Sequence, residues 1–267
     1  ELANIHFLKR FQDGQSVDKE LAAEEVKNVA VIGAGYIGVE IAEAAKRRGK
    51  NVLLFDAANR ALPNYYDKWF TDDMDQNLAE HGIELHFGEL AREYKGTDKV
   101  EAVVTDNGEY PVDLVINAIG FLPNNTLGKE HLELFTNGAY LVDRHQQTSD
   151  PDVFAVGDCA TVYSNALQQT TYIALATNAV RSGIVAGHNI GGTSLESTGV
   201  QGSNGISIFG YNMVSTGLSV EAAERNGVKV KYSDYEDTQK PGFMKENDTV
   251  KIRIVYEEES RRVIGAQ

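Results

Sequence analysis

Continuous apolar runs alternate with helix-period segments through the first 120 residues, and alternating apolar–polar strands take over after about residue 198. Val29-Ala30-Val31-Ile32 is an unbroken apolar run, the pattern of a strand buried on both faces of a parallel sheet. It runs into Gly33-Ala34-Gly35-Tyr36-Ile37-Gly38. A helical period follows, with Ile37, Ile41, Ala42 and Ala45 on one face and Gly49 placed to end it. A second apolar run, Val52-Leu53-Leu54-Phe55, ends on Asp56. After Pro63 the spacing predicts a helix over 66–81 closed by Gly82, then a strand at 83–87. Residues 100–105 and 112–119, on either side of Asn107-Gly108, read as a hairpin. The second of these strands ends in small residues and Gly120, which would let a ligand pass over its end.

A second region centres on a turn, an apolar strand at 153–156 and then Gly157-Asp158-Cys159-Ala160. The spacing predicts a helix over 172–190, with Ala174, Ala176, Ala179, Gly183, Ala186 and Gly187 allowing close packing. Beyond it, 206–218, 228–235 and 250–256 read as antiparallel strands, and 219–226 as a short helix with Ser219 at its N-cap. The reading divides the chain into a lead-in (1–28), with a strand-like run at 5–8 and an acidic helical stretch near 18–27, and three further regions at 29–120, 121–197 and 198–267. The chain opens on Glu and stops inside a strand pattern, which is expected of a piece of a longer protein.

Strand, G-x-G-x-x-G, helix and a second strand ending in an acidic residue about 20 residues on is the layout of a dinucleotide-binding βαβ unit. Gly33 would make the tight turn, Gly35 would admit the pyrophosphate, and Gly38 would let helix and strand pack closely. The helix N-terminus offers unpaired amides and a partial positive charge to the phosphates. Asp56 would accept the adenosine ribose hydroxyls, and no arginine directly follows it, so NADH is expected over NADPH. A purely structural glycine turn would leave the position of Asp56 unexplained.

The chain has 267 residues, 42% of them hydrophobic, enough for more than one domain. A net charge of −14 argues against nucleic-acid and anionic-membrane partners, both of which reward basic patches. No apolar run reaches the ~18 residues of a membrane span, and no secretory segment opens the chain. One cysteine rules out an internal disulfide framework and points to a reducing, cytoplasmic compartment. The histidines at 6, 81, 86, 131, 145 and 188 make no metal-like cluster, so no metal is expected.

Together, GAGYIGVEIAEA, Tyr65-Tyr66-Asp67-Lys68, PDVFAVGDCATVY, YIALATNAVRSGIVAGHNI, GVQGSNGISIFG and VSTGLS resemble the flavin-dependent pyridine nucleotide–disulfide oxidoreductases over nearly the whole chain. Within that family they are most similar to the branch of bacterial water-forming NADH oxidases, NADH peroxidases and coenzyme A-disulfide reductases. The resemblance implies an α/β fold: a Rossmann-like NADH-binding domain (29–120) inserted in an incomplete FAD-binding domain (121–197), followed by part of an α+β dimerisation domain (198–267). It implies FAD and NADH as cofactors, O2 or peroxide as co-substrate, and a homodimer or higher homo-oligomer. The implied reaction is hydride transfer from NADH to flavin, then reduction of O2 to water with the help of a redox cysteine. That cysteine, and the other G-x-G-x-x-G, would lie in an N-terminal segment of roughly 100–150 residues absent from this chain.

The resemblance also assigns residues. Asp158 would bind the FAD ribityl chain, where otherwise it is a turn aspartate. Ala174-Leu175-Ala176 would set helix-start amides against the flavin edge, where otherwise they merely open a helix. Tyr36 would cover the nicotinamide pocket until NADH displaces it, and Glu40 one turn on would face the nicotinamide or else be a solvated helix residue. Tyr65 would contact the NADH ribose or adenine, and Gly205 would lie in a loop reaching toward the nicotinamide. Cys159 belongs to the Gly-Asp-Cys-Ala motif and is expected to be a small packing residue, not the redox centre. The reading from another class is a non-catalytic NAD(H)-binding module, which would have no use for Asp158 or the helix start at Ala176.

Overall fold

A computed structural model describes residues 2–267, which separate into two compact units. One comprises the chain through Gly120 together with Gly205–Met213; the other comprises Phe121–Asn204 and Val214–Gln267.

The first unit holds β1 (Ile5–Phe7), α1 (Phe11–Ala22), β2 (Asn28–Ile32), α2 (Tyr36–Arg47), β3 (Asn51–Asp56), α3 (Lys68–Glu80), β4 (Ile83–Phe87), β5 (Ala91–Gly96), β6 (Val100–Thr105), β7 (Glu109–Pro111) and β8 (Leu114–Asn117). Strands β1-β8-β2-β3-β4 form a parallel sheet in that order, and β5-β6-β7 form a small antiparallel sheet. The period-2 alternation of side chains splits β2 between two cores. Val29 and Val31 point to the face that buries α1 (Val17, Leu21), α2 (Val39, Ala42, Ala45) and α3 (Met74, Leu78). Ala30 and Ile32 point to the other, with Val100 and Val103 of β6. With both faces covered, the central strands carry no polar alternation, and this is why they read as unbroken apolar runs.

Four expectations change here. Residues 112–119 do not complete a hairpin with 100–105: β7 takes that place, and β8 crosses into the parallel sheet between β1 and β2. The strand-like run at 5–8 is β1, but the helix expected near 18–27 lies earlier, at Phe11–Ala22, as α1. The buried face of α2 is Gly38, Val39, Ala42 and Ala45, with Ile37 and Ile41 only half-buried. Helix α3 starts at Lys68 rather than 66, because Asp67 is extended and Tyr65 and Tyr66 sit in a turn whose amides donate to the Leu62 carbonyl.

Later in the chain come a 3₁₀ turn (Gly157–Cys159), β9 (Val162–Ser164), β10 (Gln169–Thr171), α4 (Ala176–Ile190), β11 (Asn204–Ile208), β12 (Tyr211–Gly217), α5 (Val220–Arg225), β13 (Val230–Thr238), β14 (Thr249–Glu257) and β15 (Val263–Ala266). Sheet order is β11-β12-β15-β14-β13, and the tip of the β11–β12 hairpin groups with the first unit. Ser219 caps α5 as expected, accepting from the Ala222 amide at 3.0 Å. The apolar stretch 153–156 makes only an isolated bridge, Gln147 with Phe154, instead of a strand. Helix α4 begins at Ala176, four residues after the predicted start; Leu175 is its extended N-cap. Among the described residues, no helix is long and apolar enough to cross a membrane.

Candidate functional site

The glycine turn sits at the carboxyl end of β2. In the sheet, β3 and β4 lie on one side of β2 and β8 and β1 on the other, so the chain reverses its winding at β2. Open α/β sheets bind ligands in the crevice at such a switch point. Backbone hydrogen bonds fix the turn from both neighbours: Gly33 N–H donates to Phe55 O and Ala118 N–H to Ile32 O, each at 2.7 Å, and Leu62 N–H donates to Ala34 O at 2.8 Å.

The glycines are needed one by one. Gly33 has φ +103°, and a Cβ there would lie 2.6 Å from the Ala118 carbonyl oxygen. A Cβ on Gly38 would collide with the Gly33 carbonyl oxygen, so α2 and the turn touch backbone to backbone. At Gly35 and Gly120, by contrast, a Cβ would meet nothing within 4 Å. The open space lies where a pyrophosphate would approach the amides of α2, which starts at Tyr36 with no side-chain cap. Tyr36, Ile37 and Gly38 form that first turn.

Asp56 closes the other side. Its Oδ2 accepts from Ala34 N–H at 2.6 Å and its Oδ1 from Ala58 N–H at 2.7 Å. Both bonds come from backbone, and each oxygen keeps a lone pair for a ribose hydroxyl. The carboxylate therefore joins the glycine turn to the β3 end.

Tyr36 lies under two neighbours. Its ring meets Tyr65 edge-to-face at 4.4 Å, and its hydroxyl is 2.8 Å from that of Tyr66, a side chain with no exposed surface. Tyr66 in turn donates to the Met213 carbonyl at 3.2 Å. Burial, followed by the Tyr66 hydrogen bond, pushes the Tyr36 hydroxyl far above its usual pKa. Burial likewise raises Tyr65, which is 38% exposed. Glu40, one turn along α2, is exposed, yet partial desolvation and then Glu43 push its carboxyl upward. Gly205 opens the hairpin segment that groups with this unit, and its own position is exposed. The segment is fastened by Glu43 accepting from Phe209 N–H (2.8 Å), Asn77 donating to Ile208 O (2.9 Å) and His81 stacking on Phe209 at 4.1 Å.

The second unit contributes a separate constellation. Gly157 N–H donates to Ser182 Oγ at 3.1 Å, seating the 3₁₀ turn against α4, and Tyr172 Oη donates to the Asp158 carbonyl at 2.8 Å. The Asp158 backbone is thereby fixed and its carboxylate is exposed. Leu175 is the extended N-cap of α4, preceded by Ala174, and Ala176 is the first helical residue. A flavin's ribityl hydroxyls and electron-rich edge fit this set: one exposed carboxylate and the positive end of a fifteen-residue helix. Cys159 is half-buried against Tyr140, Val142, Ala155 and Ala160, and its thiol donates to Val156 O at 3.3 Å; it packs.

Two features have roles the sequence does not signal. One is Tyr66, which the sequence marks only as a member of the Tyr65–Lys68 motif. The other is buried Glu89, which accepts from Tyr110 Oη (2.8 Å), Thr105 Oγ1 and His86 Nδ1 (3.2 Å), while its amide donates to the Asp56 carbonyl at 3.0 Å. Desolvation alone would raise the Glu89 carboxyl, but side-chain hydrogen bonds from Thr105, Tyr110, Asn107 and His86 together hold it below the usual range. No group of three or more potential metal ligands occurs among the described residues.

The family model described as pyridine nucleotide-disulphide oxidoreductase matches residues 2–183. The chain is similar to the NADH oxidase of Lactococcus lactis subsp. cremoris, 67% identical over 270 residues, covering all of this chain and 60% of that protein. It is 54% identical to the NADH oxidase of Streptococcus pyogenes, again over its full length and 59% of that protein's. Among solved structures, the water-forming NADH oxidase from Lactobacillus brevis bound to NADH is similar at 36% identity and a TM-score of 0.95, covering 100% of this chain and 59% of that one. The chain thus spans about 60% of the length of the curated relatives it matches.

Proposed function

Since the chain belongs to the pyridine nucleotide-disulphide oxidoreductase family, we propose that it is the NADH-binding part, and a share of the flavin-binding part, of an FAD-dependent NADH oxidase that reduces O2 to water. The observation that carries this reading is the convergence of the glycine turn, the first turn of α2 and the Asp56 carboxylate at the switch point of the parallel sheet. The similarity to NADH oxidases, one of them a water-forming enzyme bound to NADH, supports the choice of substrate. A cytoplasmic homodimer or higher homo-oligomer belongs to the same reading.

In it, the amides of Tyr36, Ile37 and Gly38 bind the pyrophosphate, and the open faces of Gly35 and Gly120 give it room. Asp56 accepts the ribose hydroxyls, at roughly 1.5–3 kcal/mol for a charge-assisted hydrogen bond. A 2′-phosphate would forfeit these and face a like charge, about 4 kcal/mol per unit-charge pair at 4 Å and moderate dielectric. NADH is therefore preferred to NADPH. Tyr36 covers the nicotinamide end, with Glu40 and the Gly205 loop beside it, and Tyr65 contacts the NADH ribose or adenine. Bound FAD would supply the two-electron acceptance from NADH and the delivery of electrons to O2. Asp158 would hold its ribityl chain, and the α4 amides from Ala176 would stabilise negative charge on its reduced ring.

The test is the visible absorption of the full-length protein before and after NADH in air, with oxygen uptake and peroxide assayed in parallel. The reading expects a flavin band that bleaches and recovers, with oxygen consumed and no peroxide released. Consumption of added peroxide or coenzyme A disulfide in place of oxygen would move the activity to another acceptor. A colourless protein that binds NADH would make it a non-catalytic NAD(H)-binding module.

A further inference from the structure

We propose that Tyr66 is a positioning residue for the nicotinamide end of the dinucleotide site: its hydroxyl holds Tyr36 in the docked orientation that NADH has to displace. This deepens the function proposed above and rests on its reading of Tyr36 as the cover of the nicotinamide pocket.

The direction of the hydrogen bonds follows from proton counting. A phenol has one proton to donate, and a backbone carbonyl has none. Tyr66 Oη lies 3.2 Å from Met213 O and so spends its proton there. The hydrogen in the 2.8 Å contact between the two phenols is then that of Tyr36. The chain reads Tyr36 O–H to Tyr66 O–H to Met213 C=O. A docked Tyr36 has committed its proton and can offer a ligand only lone pairs.

The two tyrosines differ in freedom. Tyr66 has no exposed surface, and its ring belongs to the core shared with Ile206, Ile208 and Met213. It is fixed. Tyr36 is only half-buried, at the first position of α2, and its other ring neighbour, Tyr65, is 38% exposed. It has somewhere to go, and once undocked its hydroxyl finds water. Leaving the docked state therefore breaks the Tyr66 bond and the edge-to-face contact with Tyr65, while the Tyr66–Met213 bond survives. Burial keeps the Tyr36 phenol neutral and able to make that bond. NADH pays for the opening, so its apparent affinity is its intrinsic affinity reduced by the fraction of enzyme already open.

Tyr66→Phe keeps the buried ring and deletes the acceptor. In the full-length flavoenzyme, the NADH dissociation constant is read from the saturation of the anaerobic flavin-reduction rate. It should fall about five-fold, the equivalent of one net hydrogen bond, with the limiting rate unchanged. Tyr36→Phe should give a fall of the same size, and the double variant no further fall, because both remove the same bond. A merely structural Tyr66 would instead lower the unfolding midpoint and leave the dissociation constant where it was. If Tyr66→Phe does not lower the constant while Tyr36→Phe does, the positioning role is wrong and the covering role of Tyr36 stands. If Tyr36→Ala also leaves the constant unchanged, Tyr36 covers nothing, and the proposal falls together with the reading it rests on.

Discussion

Asp75 on α3 carries a cost that the dinucleotide site does not explain. Its Oδ1 accepts from the Ala61 amide at 3.0 Å, yet burial pushes its carboxyl up to about 6, with Asp72 adding to the rise and Arg60 and Lys68 only partly offsetting it. Because the folded value lies above the unfolded one of about 3.9, the native state binds more protons between the two, and stability falls as pH rises through that window. The penalty is complete above about pH 6. Asp75→Asn retains an acceptor for Ala61 and has no charge to desolvate. It should raise stability at neutral pH by on the order of 1 kcal/mol, after allowing for solvent screening of a partly exposed group. In urea melts the gain should shrink to nothing as pH drops toward 4; a gain independent of pH would mean that the charge was not its source. At this scale the sequence is legible where chemistry is local. Asp56 and the glycines declare themselves by spacing along a few residues. Tyr66 and Glu89 do not, since their partners, Met213 and Tyr110, come from distant stretches of chain and only folding brings them together.

Legibility at the scale of elements follows burial. β2 and β3 lie inside the sheet between covered faces and read as apolar runs, whereas β4, at the sheet edge, reads as Ile-Glu-Leu-His-Phe and alternates. β5, Ala91-Arg-Glu-Tyr-Lys-Gly96, is largely exposed, carries no apolar period and went unpredicted. β8 was visible as a strand but assigned to the wrong sheet. Asn107-Gly108 does turn the chain back, but the three residues of β7 complete the hairpin before β8 leaves for the parallel sheet. The Gly33 turn joins three strand ends, so its backbone conformation matters to more than one element. Gly33→Ala would force a side chain into φ +103° and against Ala118 O. The backbone strain alone is about 1–3 kcal/mol, and displacement of the β8 end adds to it. Gly49 is the control: its φ of +76° is also unfavourable for alanine, but a Cβ there meets nothing within 4 Å. Gly49→Ala should cost about 1–2 kcal/mol and leave NADH affinity alone. Gly33→Ala should cost more and weaken NADH binding as well, as denaturant melts paired with NADH titrations would show. Equal losses in the two variants would mean that the Ala118 contact is not tight enough to matter.

For the molecule as a whole, the decisive quantity is how much of each cofactor site this stretch of chain contains. The NADH site proposed above falls within one compact unit: its glycine turn, helix start, Asp56 and tyrosines all belong to the chain through Gly120. That unit has its own two-faced core, with Val29 and Val31 on one side of the sheet and Ala30 and Ile32 on the other. What the described residues offer a flavin is smaller: the Asp158 carboxylate and the α4 amides, with no second G-x-G-x-x-G in the sequence to receive its pyrophosphate. One carboxylate and one helix terminus contribute roughly 1.5–3 and 0.3–1 kcal/mol, far short of the about 8 kcal/mol that even micromolar retention requires. The 267-residue chain purified alone should therefore come off a sizing column colourless and yet bind NADH with one site per chain, lost in Asp56→Ala. The full-length protein should emerge yellow and bind NADH at the same site. Flavin retained by the short chain through the column would show that Asp158 and α4 hold it with help from further residues of 121–204.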